Sequence, residues 1–144
     1  MHAFRVAMES GDIEGVVELL AENVTFRSPV VFQPYSGLSD VTAIMYAAAR
    51  VFQDFHYERA IGSPDSADHA LVFSARIGER HIHGCDFVHT DEHGKIDELT
   101  VMVRPLSAAL AVSETMKEQF LTAKRELVGE AAAPTSTSAE QQQA

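Results

Sequence analysis

The chain is poor in cysteine and in positive charge, and it has no apolar run of membrane length. Its one cysteine, Cys85, excludes an internal disulfide framework and fits a reducing compartment. Eleven Lys and Arg residues stand against 21 Asp and Glu, for a formal charge of -10 over 144 residues. Without a basic cluster to displace counterions, neither a nucleic-acid backbone nor an anionic membrane surface is an expected partner. No stretch approaches the roughly 18 to 20 apolar residues of a spanning helix. The opening residues, MHAFRVAMESGD, lack the basic region and apolar run of a secretory signal, so the expected location is cytoplasmic. A glycine-rich phosphate loop, a nucleophile elbow and a paired-cysteine zinc motif are also missing, and no cofactor or metal is expected.

What is present is an ordinary globular mix, 46% apolar and 22% charged, long enough for one domain with a real core. Apolar residues at Phe4, Ala7, Met8, Ile13, Val16, Val17, Leu19 and Leu20 have helical spacing. Ser10-Gly11-Asp12 interrupts them, which predicts two short helices with Asp12 as the cap of the second. Val24 to Ser28 alternates as a strand stopped by Pro29, residues 32–37 (FQPYSG) form a turn-rich stretch, and Leu38 to Phe52 reads as a helix. Strands follow at about 54–61, 67–77, 80–90 and 95–104. Pro105 suits the first turn of a last helix running to about residue 128. Helices followed by a long antiparallel meander indicate an α+β fold. The domain is therefore expected to span residues 1–128. The remaining 129–144, with no large apolar side chain, is expected to be a disordered tail.

Turn chemistry fixes the register of the meander. A two-residue turn at Gly78-Glu79 pairs Ile77 with Arg80, Ala75 with Ile82, Phe73 with Gly84 and Leu71 with Asp86. A four-residue turn at Asp91-Glu92-His93-Gly94 pairs Thr90 with Lys95 and sets Asp86 opposite Leu99, flanked by Val101 and Val103. Both hairpins put Asp86 on the apolar face, because side chains alternate along each strand. A carboxyl there either accepts hydrogen bonds and fixes the core, or lines a pocket with its proton affinity raised by desolvation. In the second case it is suited to proton transfer near neutral pH. Gly84, on the same face, leaves room for a cavity.

These residues resemble the nuclear-transport-factor-2-like superfamily of cone-shaped α+β domains, which includes ketosteroid isomerases and SnoaL-like polyketide cyclases. The resemblance runs from residue 1 to about 112. It is carried by Gly11-Asp12-Ile13-Glu14, by Phe26-x-Ser28-Pro29, by Gly37 and by Asp86-x-x-x-x-Asp91-Glu92-His93-Gly94-Lys95-Ile96. It implies a cone-shaped, curved antiparallel sheet around an apolar pocket, closed by three helices. Asp86 matches the aspartic acid of the isomerases that stays protonated in the oxyanion hole, the standard example of a carboxylic acid held neutral. The general-base aspartate of that pattern falls on Ser28 and its oxyanion tyrosine on Phe4, so two of the three catalytic groups are absent. The branch resembling polyketide cyclases, which can work with a single acid/base aspartate, stays open.

His69 lies diagonally across one hairpin from Asp86, either as a partner in a dyad or as a histidine at the sheet edge. The expected pocket residues are Phe4, Met8, Phe26, Ser28, Tyr35, Leu71, Phe73, Leu99, Val101 and Val103, with Tyr57 a further source of a hydroxyl. His81-x-His83-x-Cys85 spans too far along one strand to share an ion, about 13 Å end to end. That face mixes Val72, Phe87 and Met102 with histidines, which points to a homodimer through the outer side of the sheet. Three functional classes remain: a cofactor-independent isomerase, cyclase or dehydratase acting on an apolar carbonyl compound, a non-catalytic binder of a small apolar molecule, and a dimeric interaction module with a filled cavity.

Overall fold

The computed structural model describes residues 1–131. Helix α1 (His2–Ser10) ends at Gly11, whose left-handed φ of 73° lets the chain turn back and return amide bonds to Ala7 and Met8. Asp12 then caps α2 (Ile13–Glu18), its carboxylate accepting from the Gly15 amide at 3.1 Å. The helical spacing of Leu19 and Leu20 is overridden. The Ile96 amide donates to the Leu19 carbonyl at 2.8 Å, and strand β1 (Leu20–Arg27) begins at once.

A two-residue strand, β2 (Tyr35–Ser36), forms in the stretch read as turn and pairs with β1. Helix α3 (Leu38–Val51) follows, then β3 (Gln53–Ile61), β4 (Asp68–Ile77), β5 (Arg80–Thr90), β6 (Ile96–Arg104) and α4 (Leu106–Ala131). Pro105 stands just outside α4, where its carbonyl accepts from Ala108 and Ala109. Helix α4 continues three residues past position 128, and the rest of the segment expected to be disordered, 132–144, lies outside the described residues.

The six strands make one curved, unclosed sheet in the order β2-β1-β6-β5-β4-β3. It is mixed rather than wholly antiparallel, because β1 runs parallel to β6, with Phe26 beside Leu99. The long excursion through α3 and four strands gives the chain the length that a parallel pairing requires. Among the described residues four helices accompany the sheet: α1 and α2 at its start, then α3 and α4, which pack through Ala43, Ala47 and Ala123.

The β4–β5 register is the one read from the Gly78-Glu79 turn, from Asp68↔His89 through Leu71↔Asp86 to Ile77↔Arg80. The β5–β6 register differs. The Asp91 amide donates to the Lys95 carbonyl at 2.8 Å and the Lys95 amide to the Asp91 carboxylate at 3.0 Å, leaving a three-residue loop, and a bulge follows between His89 and Thr90. The two one-residue offsets add, so Asp86 faces Val101 and Val88 takes Leu99. An even slip preserves the face, and Asp86 stays on the apolar side.

Candidate active site

Between the concave side of the sheet and helices α1, α3 and α4 lies a cavity of about 680 Å³. Asp86 forms part of its wall from the centre of β5 and is only 4% exposed. Among the described residues its carboxyl has one side-chain partner, the Tyr57 hydroxyl, which donates to Oδ2 at 2.6 Å. Burial pushes the Asp86 carboxyl up and the hydrogen bond from Tyr57 pulls part of the way back, which leaves it raised to about 7. Burial first, then the adjacent carboxyl, drives the Tyr57 hydroxyl far above its ordinary range, so it acts as a fixed donor. A neutral carboxylic acid held at one oxygen keeps its other oxygen for a ligand.

Tyr57 is held from both sides. Its ring meets Phe55 edge-on at 4.9 Å and Phe73 at 6.5 Å. Its backbone is clamped to α1, with Glu9 accepting from the Tyr57 amide at 2.9 Å and Arg5 donating to its carbonyl. From sequence, Tyr57 is a source of a hydroxyl but not an evident partner of Asp86. Phe55 and Tyr57 alternate with the exposed His56 and Glu58, a usable strand signal. Yet β3 has register shifts on both sides of that pair, so no turn-based count could align it with β5.

Of the other residues expected to line the pocket, Met8, Phe26, Ser28, Tyr35, Phe73, Leu99 and Val101 do so. Phe4 and Leu71 are fully buried in the packed core, and Val103 packs against that core outside the cavity wall. Ser28 uses its oxygen to accept from the Val30 and Val31 amides at 3.1 and 3.2 Å, tying down the loop after β1. The space over Gly84 does not open into the cavity. A side chain there would meet the Phe73 ring at 2.3 Å and the Met102 carbonyl at 2.7 Å, so the missing Cβ admits Phe73. Helix α4 supplies wall residues the sequence reading did not assign, Val112, Met116 and Phe120 among them, because helical periodicity shows an apolar stripe without showing what it faces.

His69 does not join Asp86. Its Nε2 donates to the Ser63 carbonyl at 2.8 Å, which fixes the tautomer, and its Nδ1 is buried without a partner. It lines a separate small hollow with Gly62, Phe87 and Val88 at the far end of the sheet. On the outer face, His83 and His56 flank Glu58, at 3.7 and 3.8 Å, and His89 meets Asp97 at 2.5 Å, which raises its proton affinity. Among the described residues no group of three His, Cys, Asp or Glu is placed to hold a metal ion. No described helix is long and apolar enough to cross a membrane.

Known structures share this architecture. A Silicibacter pomeroyi protein with a cystatin-like fold superposes with a TM-score of 0.81 at 29% identity, over 91% of this chain and 92% of its own. A steroid delta-isomerase from Pseudomonas aeruginosa gives 0.77 at 36% identity, over 83% and 87%. SalBIII, an epoxide hydrolase/cyclase-like enzyme of pyran ring formation in salinomycin, shares the fold at 18% identity with a TM-score of 0.59, over 73% and 87%. No curated protein matches the sequence. Residues 1–99 match the SnoaL-like domain, and the chain belongs to that family.

Proposed function

We propose that the cavity takes a small apolar or polycyclic carbonyl compound and that Asp86 serves as the acid/base for its isomerisation, cyclisation or dehydration. The observation that carries this is a carboxyl buried in a cavity wall, poised near pH 7 and anchored by Tyr57 at 2.6 Å. A proton affinity close to the working pH is what general acid–base catalysis needs. As negative charge develops on the ligand oxygen, the protonated carboxyl donates to it, and the low-polarity surroundings strengthen that bond. Tyr57 holds the carboxyl in place and stabilises the carboxylate once the proton has moved.

The kinship with the Pseudomonas aeruginosa steroid delta-isomerase supports carbonyl chemistry. Ser28, however, stands where the isomerase pattern has its base, and its oxygen is engaged by two backbone amides. That favours a single-carboxyl mechanism, and it equally supports a second reading, ligand binding without turnover. We also propose that a second copy covers the outer sheet face, where Phe87 and Met102 are 43% and 57% exposed. The lone Cys85, free and half-buried, supports a cytoplasmic setting.

A thermal-shift screen of aromatic, steroid-like and polyketide-like ketones tests the reading, since a ligand stabilises the fold it binds. Stabilising compounds that are turned over by wild type and only bound by Asp86→Asn support an enzyme. Compounds bound by both and converted by neither support the binder, and no stabilisation by any of them overturns the cavity reading.

A further inference from the structure

Four side chains bearing a carboxyl or amino group line the cavity: Glu9, Asp54, Asp86 and Lys117. Three are already satisfied. Glu9 accepts from the Tyr57 amide at 2.9 Å and from Arg5 at 3.4 Å. Asp54 is paired with Arg76 at 2.6 Å. Asp86 is held by Tyr57 deep in the wall. Lys117 has no ion-pair or side-chain hydrogen-bond partner among the described residues, whereas the chain's other two lysines, Lys95 and Lys124, are engaged by the Glu18 carbonyl and by Asp40.

Its position on α4 is also informative. Val112, Met116, Phe120 and Leu121 face the cavity with Lys117 among them, at spacings of one, three, four and five residues. A single charge, with Ser113 one turn before it, therefore interrupts a mainly apolar stripe on the helix that walls the cavity. Lys117 is exposed while Asp86 is fully buried, so the two mark the mouth and the floor of one space. In a chain of net charge -10, the one charge of the cavity wall without a partner among the described residues is positive.

Resting on the reading of the cavity as a site for carbonyl compounds, we infer that Lys117 recognises an anionic substituent, so that the ligand is an apolar carbonyl compound bearing a carboxylate at its mouth-facing end. The carbonyl end meets the buried acid, where a free carboxylate would lose its hydration. The carboxylate end stays at the mouth, within reach of the ammonium and of water. The surrounding negative charge disfavours anions at long range, so the preference depends on this one local contact.

The test compares 9-fluorenone-2-carboxylate with its uncharged methyl ester, by calorimetric titration of the full chain. Wild type is expected to bind the acid about five- to tenfold more tightly, the range between an exposed ion pair and a charged hydrogen bond. Lys117→Met keeps the aliphatic stem and removes the charge; it should leave ester affinity unchanged and abolish or reverse the preference. Lys117→Arg should restore the preference. Equal binding of acid and ester to wild type, or a preference that survives in Lys117→Met, would overturn the role of Lys117 and leave the cavity reading intact. A parallel loss of both affinities in Lys117→Met would also overturn it, by showing that the stem only packs. Binding of neither probe by wild type would overturn the cavity reading, and this inference with it.

Discussion

Two polar side chains of this sheet are buried, Asp86 at 4% exposure and His69 at 7%, and they meet opposite fates. Asp86 sits mid-strand against a cavity, with a short hydrogen bond behind it and its ionisation held close to neutrality. His69 sits at the end of the neighbouring strand and spends its proton on the Ser63 carbonyl. Gly62, at a φ of 121°, packs so closely on the imidazole that an added Cβ would meet it at 2.7 Å. The histidine thus ties a turn to the sheet, while the aspartic acid faces open volume. Burial alone does not make a site; burial beside space, with a partner that leaves one oxygen available, does.

The largest expected effect that tests this contrast is on turnover. Asp86→Asn should cut the rate on any converted ketone by about 10²- to 10⁴-fold while keeping binding, because the amide preserves shape and still accepts from Tyr57. Undiminished turnover in steady-state assays would remove Asp86 from the chemistry.

Next is pH. The ordinary aspartate value is about 3.9, and the folded value is about 7. Between these the native state keeps a proton that the unfolded state has lost. The contribution of Asp86 is therefore fully present below about pH 4, and it falls as pH rises to about 7, by a few kcal/mol in all. Urea denaturation at pH 5 and pH 8 should show that decline in wild type relative to Asp86→Asn. Parallel profiles would mean that the carboxyl is not poised as described.

Tyr57→Phe should cost about 1 to 2 kcal/mol by leaving Asp86 short of a donor. It should also move the apparent pKa in a pH–rate profile upward, since the tyrosine bond lowers it. An unchanged profile would mean that Tyr57 only packs. The smallest effect belongs to His69→Gln, whose turnover should stay within about twofold of wild type. A large loss there would break the distinction between the two buried groups.

Much of this was legible in the chain. The Gly78-Glu79 turn and strict alternation placed Asp86 opposite Leu71 on the apolar face, and the observed register agrees. The Asp91–Gly94 turn was misjudged in detail, because a tighter loop and a bulge are not visible in residue types. The error was even, so the face was still right. The break at Gly11 and the Asp12 cap were readable for the same reason: short-range sterics and hydrogen bonds act between neighbours in sequence.

Contacts between distant segments were not legible. Tyr57 and Asp86 lie two strands apart, about 10 Å in a flat sheet, and only curvature and the irregular register of β3 bring the hydroxyl onto the carboxyl. The parallel seating of β1 on β6, the filling of the space over Gly84 by Phe73, and the placing of Lys117 at the cavity mouth by α4 were likewise decided by packing. Local sequence determined which residues turn, alternate and face inward, because those choices cost or gain energy within a few residues. Which inward residues meet, and where space is left between them, depended on how the whole sheet bends and what the last helix covers.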